Sequence, residues 1–432
     1  MSARNPRLAL ALVITEGFLG RLTFGMVSFG LPLYALSLGL SLSQIGLVIG
    51  VRTVAAVLLK PVAGWLADKV GVRTVYLGGT IARVCAAAAL LVVGDLAGLC
   101  AVRVLQGASA AGRDIASLSV IARDASDRIG SVYSWYATAK HVGGVAGAGL
   151  AGGVLAVTDG SFSTLFVIVL ALSVLPISAA WLALREAPEV EPRRCALDPP
   201  GAGAASGASG WASTRELISE LRAPSSFGML VATSAYMVHG LFPVLATDYA
   251  GLSAGQTGAI YSLSALVFLV AGPVFGWIVD RHGHAVGTAW RSMANIGSSV
   301  LFVVSPNMAG FAAARTLDDS GKAAFRPAWA SLIGGVANSD PRRRNRRLAV
   351  LDTSETVGEA IGPVLAGILW QTGGIAILFG VRIIIAAIAE VMALRLTHRD
   401  DRGRACDSRE AVASIGSHDA VNPEPFALRE RS

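Results

Sequence analysis

Three acids on one stretch of an apolar chain stand out first. Asp352, Glu355 and Glu359 are spaced by three and four residues, so on a helix they share one face. A second stretch, with Arg315, Asp319, Lys322 and Arg326, repeats this spacing, with Asp318 beside it. Lys140 and His141 stand at the positions matching Glu355 and Thr356 in the other half of the chain. Acids and bases facing each other in an apolar setting can form ion pairs and exchange protons. A charge at the middle of a membrane costs at least ~2.5–3.5 kcal/mol on insertion scales, so it faces water or a partner. No nucleophile–base pair, zinc or haem spacing, or nucleotide-binding loop accompanies them, so no cofactor or metal is expected. The four cysteines (Cys85, Cys100, Cys195, Cys406) show no pairing or metal spacing and read as inert filling.

Those residues need long apolar helices to position them. Hydrophobic residues make up 53% of the chain and charged residues 15%, against about 25% in soluble domains. The apolar residues form runs such as 84–94, 162–184, 260–278 and 375–394. A bilayer span takes about 20 of them. Twelve spans are expected, near 8–35, 43–66, 74–94, 96–120, 131–157, 162–185, 226–247, 255–279, 286–305, 308–336, 348–371 and 373–396. The apolar stretch after Arg4 and Arg7 is interrupted by Glu16 and Arg21 and reads as the first span rather than a secretory signal.

The net charge of +7 is distributed over alternate loops, which argues against a nucleic-acid partner. Arg and Lys collect in the loops after spans 2, 4, 8, 10 and 12, whereas the opposite loops hold Asp95, Asp159 and Asp248 and no base. The positive-inside rule then places both termini in the cytoplasm. The expected organisation is a six-helix half over 1–185 and a linker over 186–224 containing a short amphipathic helix begun by the capping box Ser213–Glu216. A second half over 225–396 and a disordered tail over 397–432 complete it.

The two halves are copies. The stretch 61–71 returns at 273–283, a shift of 212 residues that also maps Gly39 to Gly251, Gln44 to Gln256 and Arg103 to Arg315. Farther on, Val142, Gly143, Gly147 and Gly152 match Val357, Gly358, Gly362 and Gly367. Parallel repeats of this kind enclose a site between them. Each copy of the turn carries an acid at a helix end, Asp68 or Asp280, suited to face another helix's N-terminus or a buried arginine and so to latch the two halves in one conformation.

The turn Gly64-x-Leu66-Ala67-Asp68-Lys69-x-Gly71-x-Arg73 resembles the loop 2–3 signature of the major facilitator superfamily. Gly276, Asp280, Arg281 and Gly283 look like its degenerate second copy, and Arg103-Val104-Leu105-Gln106-Gly107 like its span-4 signature. The resemblance covers roughly 8–396. Two departures stand out: Val72 replaces a second basic residue, and Gly147 is followed by Ala148 where drug antiporters carry Gly-Pro, a pair found here as Gly362-Pro363.

The resemblance implies an all-α membrane protein of twelve helices in two pseudosymmetric six-helix bundles, a monomer in a bacterial inner membrane. It implies a secondary transporter of a small organic molecule by alternating access, with protons as coupling ion and efflux as direction. The alternative is a uniporter or a proton symporter importing a small polar metabolite, towards which Ala148 and the lack of a deep acid in span 1 lean. A distant alternative is a non-transporting sensor on the same fold. The expected proton and substrate pathway comprises Glu359, Asp319, Glu355, Arg103, Lys322, Asp318, Arg315, Lys140, Arg21 and Arg52, with a charge network crossing between the halves. Tyr236 and His239 are candidate substrate contacts. The expected cytoplasmic gate comprises Gly64, Asp68, Lys69, Gly71, Arg73, Arg113, Asp114, Gly276, Asp280, Arg281, Gly283 and Asp352.

Overall fold

In lipid every backbone N–H and C=O must be satisfied within the protein, and a helix does this segment by segment. The computed structural model describes residues 6–124, 129–185, 217, 219–338 and 344–418, and there the chain is all helix and turn. The first half comprises α1 (Pro6–Ser37), α2 (Leu42–Val70), α3 (Val72–Ala89), α4 (Leu96–Asp124), α5 (Ile129–Val157) and α6 (Phe162–Arg185). The second comprises α7 (Arg222–His239, continued by Phe242–Tyr249), α8 (Ala254–His282), α9 (His284–Val304) and α10 (Met308–Asn338). The last helical stretch, Arg344–His418, is interrupted at Gly374 (φ 73°), which divides it into α11 (344–373) and α12 (375–418).

Six helices are apolar and long enough to cross a bilayer by length and composition alone, or seven with the bent α7 pair. Most of the other helices, α4 and α10 above all, carry charges that the protein buries.

The last helix runs on through His418, past the bound expected at 396. The seventh span is not one straight helix: it bends by 42° after His239 and ends in a π-helical turn, Leu245–Tyr249. Pro243, which lacks an N–H, stands just beyond the break. The capping box expected at Ser213–Glu216 lies outside the described residues.

The duplication explains several local details. Ser41 and Gln44 form a reciprocal capping box at the start of α2, and Ser253 and Gln256 form the same box at the start of α8. The α2–α3 and α8–α9 turns pass through Gly71 (φ 87°) and Gly283 (φ 83°), a conformation that disfavours any side chain. In both halves glycines let a pair of helices touch backbone to backbone. A Cβ on Gly147 would strike the carbonyl of Leu22, joining α1 to α5, and one on Gly362 would strike that of Thr233, joining α7 to α11.

Among the described residues, the backbone-close contacts between the halves lie at one end. There α2 meets α11, where Gly50 faces the carbonyl of Ala360, and α5 meets α8, where Gly152 and Gly258 abut. One apolar core spans both halves at this end, drawing in Phe29, Ile45, Tyr261, Phe302 and Trp370. Towards the Asp68 and Asp280 turns the core divides into two. Val13, Tyr76 and Ile121 belong to the first half, and Phe227, Phe325 and Trp329 to the second. A Cβ on Gly276 would meet nothing within 4 Å, and one on Gly64 only Ile115 of its own half. Among the described residues, the halves are therefore joined by one core at the acidic-loop end and share none at the basic-loop end.

The joined end depends on glycine at the α5–α8 contact. Gly258→Val should leave both halves folded but loosen that end. A cysteine placed at Ser262 should then react faster with an impermeant maleimide added from that side than it does with Gly258 in place. An unchanged rate would show that the glycine contact does not seal this end.

Candidate functional site

Charges inside the bundle fall into three groups. The first lies within the first half. Glu16, fully buried, accepts from Arg83 at 2.6 Å, Arg113 Nε at 2.8 Å and the Tyr76 hydroxyl at 3.0 Å. Arg113, expected at the gate, is thus paired inside the first half. Asp114, its neighbour on α4 and also expected at the gate, pairs with Lys140 of α5 at 2.8 Å. Consecutive residues on a helix point about 100° apart, so one faces α1 and α3 and the other faces α5.

The second group lies within the second half, among α9, α10 and α12. Asp318, fully buried, pairs with Lys322 at 2.7 Å, Arg291 at 3.1 Å and Arg382 at 2.5 Å. Asp319 pairs with Arg315 at 2.9 Å and Lys322 at 3.0 Å. Arg382 also donates to the Ser234 carbonyl and Ser299, and Ser292 donates to Glu390. Sequence reasoning overlooked Arg291. It read Glu16 only as a charge near the end of span 1 and did not match it with Arg83. The available signal was the mere presence of these charges in apolar runs; their partners lie on other helices.

The third group faces the space between the halves. Glu355 accepts from Trp329 Nε1 at 2.8 Å. Glu359, one turn on, has no ion pair among the described residues; its polar partner is the Tyr236 hydroxyl. The nearest charges that it feels are Arg21 and Arg52 of the first half and Arg326 of the second, with the Tyr236 hydroxyl close by. Arg52 stacks on the Phe24 ring at 3.9 Å and Arg21 on the same ring at 5.2 Å. At the α7 break, His239 contacts Tyr236 edge-on and reaches Arg315 at 3.4 Å. His141 of α5 packs edge-on against Phe268 of α8 at 4.3 Å, bridging the halves.

The expected cross-half network of charges is thus reduced to longer-range attraction. No ion pair joins the halves among the described residues. The separation between the halves at this depth leaves each charge to be neutralised by its own bundle. Arg103 has no acid either. It donates to the Val48 carbonyl at 3.2 Å and to Gln106 at 3.0 Å, fastening α4 to α2. Its duplicate Arg315 took an acid, Asp319, and the rings of Phe242 and Tyr261.

At the basic-loop end the expected gate residues are apart. Asp68, Arg73, Asp280 and Asp352 are exposed. Lys69 lies over its own Trp65 at 4.2 Å and Arg281 over Trp277 at 5.6 Å, the same four-residue pairing in each half. Trp and a base at such a place suit a membrane–water boundary.

Removing one partner of a buried ion pair costs about 3–5 kcal/mol, because it strands a charge. Asp318→Asn and Glu16→Gln should therefore lower the melting temperature in detergent markedly, whereas Glu359→Gln should change it little. A loss for Glu359→Gln as large as for Asp318→Asn would place Glu359 among the structural pairs.

Comparison with known proteins agrees with the architecture. The sequence profile of the Major Facilitator Superfamily matches residues 17–237 and again 225–427, once per half. The vesicular acetylcholine transporter of Mus musculus is 27% identical over 141 residues, and this chain spans about a quarter (26%) of that relative's length. Among solved structures, a mutant of the nucleoside transporter NupG superposes with a TM-score of 0.72 at 15% identity, over 90% of this chain and 99% of that one. A bacterial homologue of the iron transporter ferroportin in an inward-facing state gives 0.68 at 16% identity, over 90% and 98%. The peptide transporter POT in complex with sulfate gives 0.66 at 16%, over 90% and 94%. At such identities the structural likeness concerns the fold alone. With two six-helix bundles and the profile matched in both, this chain belongs to the major facilitator superfamily and is a membrane transporter, not an enzyme.

Proposed function

We propose that the chain is a proton-coupled secondary transporter of a small amphipathic organic molecule, with Glu359 as the group that takes up and releases the proton. One observation carries this reading. Among the deeply placed acids, Glu16, Asp318 and Asp319 are each held by two or more cations, whereas Glu359 is held by none. It can change protonation without breaking an ion pair. It also lies where the two halves face each other, so the charges around it change as they rock. Glu355, tied only by Trp329, is the second relay position.

The arrangement of cores supports an open basic-loop side, and the distribution of bases over the loops supports a cytoplasmic location for that side and for both termini. The state described is then inward-facing, in a cell inner membrane. The unengaged Asp68 and Asp280 turns fit a latch that is released in this state and closes in the other.

Export in exchange for protons is supported by the Asp68 turn together with the Arg103 motif. Joint movement of proton and substrate is supported by the position of Glu359 facing Arg21, Arg52 and Arg326, with Tyr236 and Glu355 beside it. A proton on Glu359 removes the negative charge opposite those arginines and leaves them to a negatively charged substrate.

In proteoliposomes carrying an internal pH dye, Glu359→Gln should abolish substrate-driven proton movement while leaving substrate counterflow. The sign of the dye response in the unmodified protein separates exchange from joint movement. Proton movement unaltered by Glu359→Gln would remove it from the role. Asp68→Asn should slow turnover while leaving equilibrium substrate affinity within about a factor of two, since the latch is remote from the site. A large loss of affinity at normal turnover would refute the latch.

A further inference from the structure

The first half contains more buried positive charge than it neutralises. Arg21, Arg52, Arg83, Arg113 and Lys140 line one pocket between α1, α2, α3, α4 and α5. Two carboxylates answer these five cations. Asp114 takes Lys140, and Glu16 is shared by Arg83 and Arg113. Three positive charges have no carboxylate in their own half, and only Glu359 of the other half lies near Arg21 and Arg52; an isolated charge in a low-dielectric setting is very costly.

The unspent hydrogen-bonding capacity lies in the same place. Arg83 is only 8% exposed, yet its Nε and Nη1 have no partner, and neither have Arg52 Nε and the Ser173 hydroxyl. Arg21 and Arg52 have an aromatic contact, with Phe24, but no carboxylate within ion-pair distance. Glycine at position 20 makes the space: a Cβ there would approach Arg113 Nη2 to 2.6 Å and would overlap Arg83 Nη1. The free volume of the pocket is about 50 Å³, the size of a carboxylate group and its nearest carbons, and the pocket is open on one side. Its other walls are apolar, formed by Phe24, Val27, Ala87 and Val169.

A guanidinium fork matches a carboxylate in two parallel hydrogen bonds, and burial strengthens the pairing. We infer that this pocket binds a small organic anion, with the carboxylate received by Arg52, Arg21 and the free edge of Arg83 and the apolar body against Phe24, Val27 and Val169. This rests on the transport reading above and names its substrate class.

The test is equilibrium binding to the purified full-length chain in detergent, which requires no gradient and no coupling. Benzoate, benzamide and benzylamine serve as probes of matched size, followed by calorimetry. Benzoate should bind, with benzamide at least roughly tenfold weaker and benzylamine weaker still. R52Q and R21Q should each weaken benzoate by roughly ten- to a hundredfold, the loss expected on removing a hydrogen bond to a charged group. R52K, which retains the charge but loses the fork, should fall between. Unliganded melting and gel filtration identify any variant that misfolds, in which case the remaining two carry the test. Benzoate failing to bind, benzylamine binding as well as benzoate, or benzoate affinity unchanged in R52Q and R21Q would overturn the anion site. Benzoate binding alongside substrate-driven proton movement unaltered by Glu359→Gln would instead overturn the proton carrier and spare the anion site.

Discussion

The cost of a charge in a low-dielectric interior governs this structure. Each buried acid that holds the fold is surrounded by bases of its own half: Glu16 by Arg83 and Arg113 of other helices, and Asp318 by Lys322 of its own helix and Arg291 and Arg382 of two others. These pairs fix how α1 faces α3 and α4, and how α10 faces α9 and α12. They also make each bundle electrostatically self-contained in its structural parts. That independence suits the proposed rocking of the two halves: a strong ion pair across the divide would have to be broken in every such cycle.

What holds the halves together is weaker and of a different kind. At the joined end, glycines bring α2 onto α11 and α5 onto α8, and one apolar core runs across. At the other end the apolar residues form two cores, one for each bundle. In lipid, apolar surface gains little by association, so close packing of small residues decides where helices remain joined. Contacts of this kind have no hydrogen bonds to replace when they part, which fits a seal that opens and closes.

Duplication supplied the frame, and divergence made the site. The capping boxes, the glycine turns and the tryptophan–base pairs occur twice. Arg103 and Arg315 began as equivalents, yet one now ties α4 to a backbone carbonyl and the other belongs to an acid-rich cluster. The first half retained unneutralised arginines around Phe24, while the second placed Glu355 and Glu359 opposite them. The proposed chemistry lies in that difference, in the space where the bundles face each other.

The sequence by itself determined the fold class, the number of spans, the repeat and the faces on which charges fall. Each depends on local periodicity or on composition within one helix, and apolar runs of span length leave the backbone few alternatives in lipid. Asp352, Glu355 and Glu359 on one face and the glycines of α5 and α11 were legible for that reason. The partners of the charges were not. Arg113 and Asp114 are neighbours in sequence, but one meets Glu16, 97 residues away, and the other Lys140. The bend after His239, the exposure of Asp68 and Asp280, and the lack of an ion pair at Glu359 among the described residues were likewise settled only by tertiary structure. A carboxylate's partner is decided by which helices lie within about 4 Å of it, and helix neighbours in a bundle are set by packing across the whole chain rather than by any single stretch.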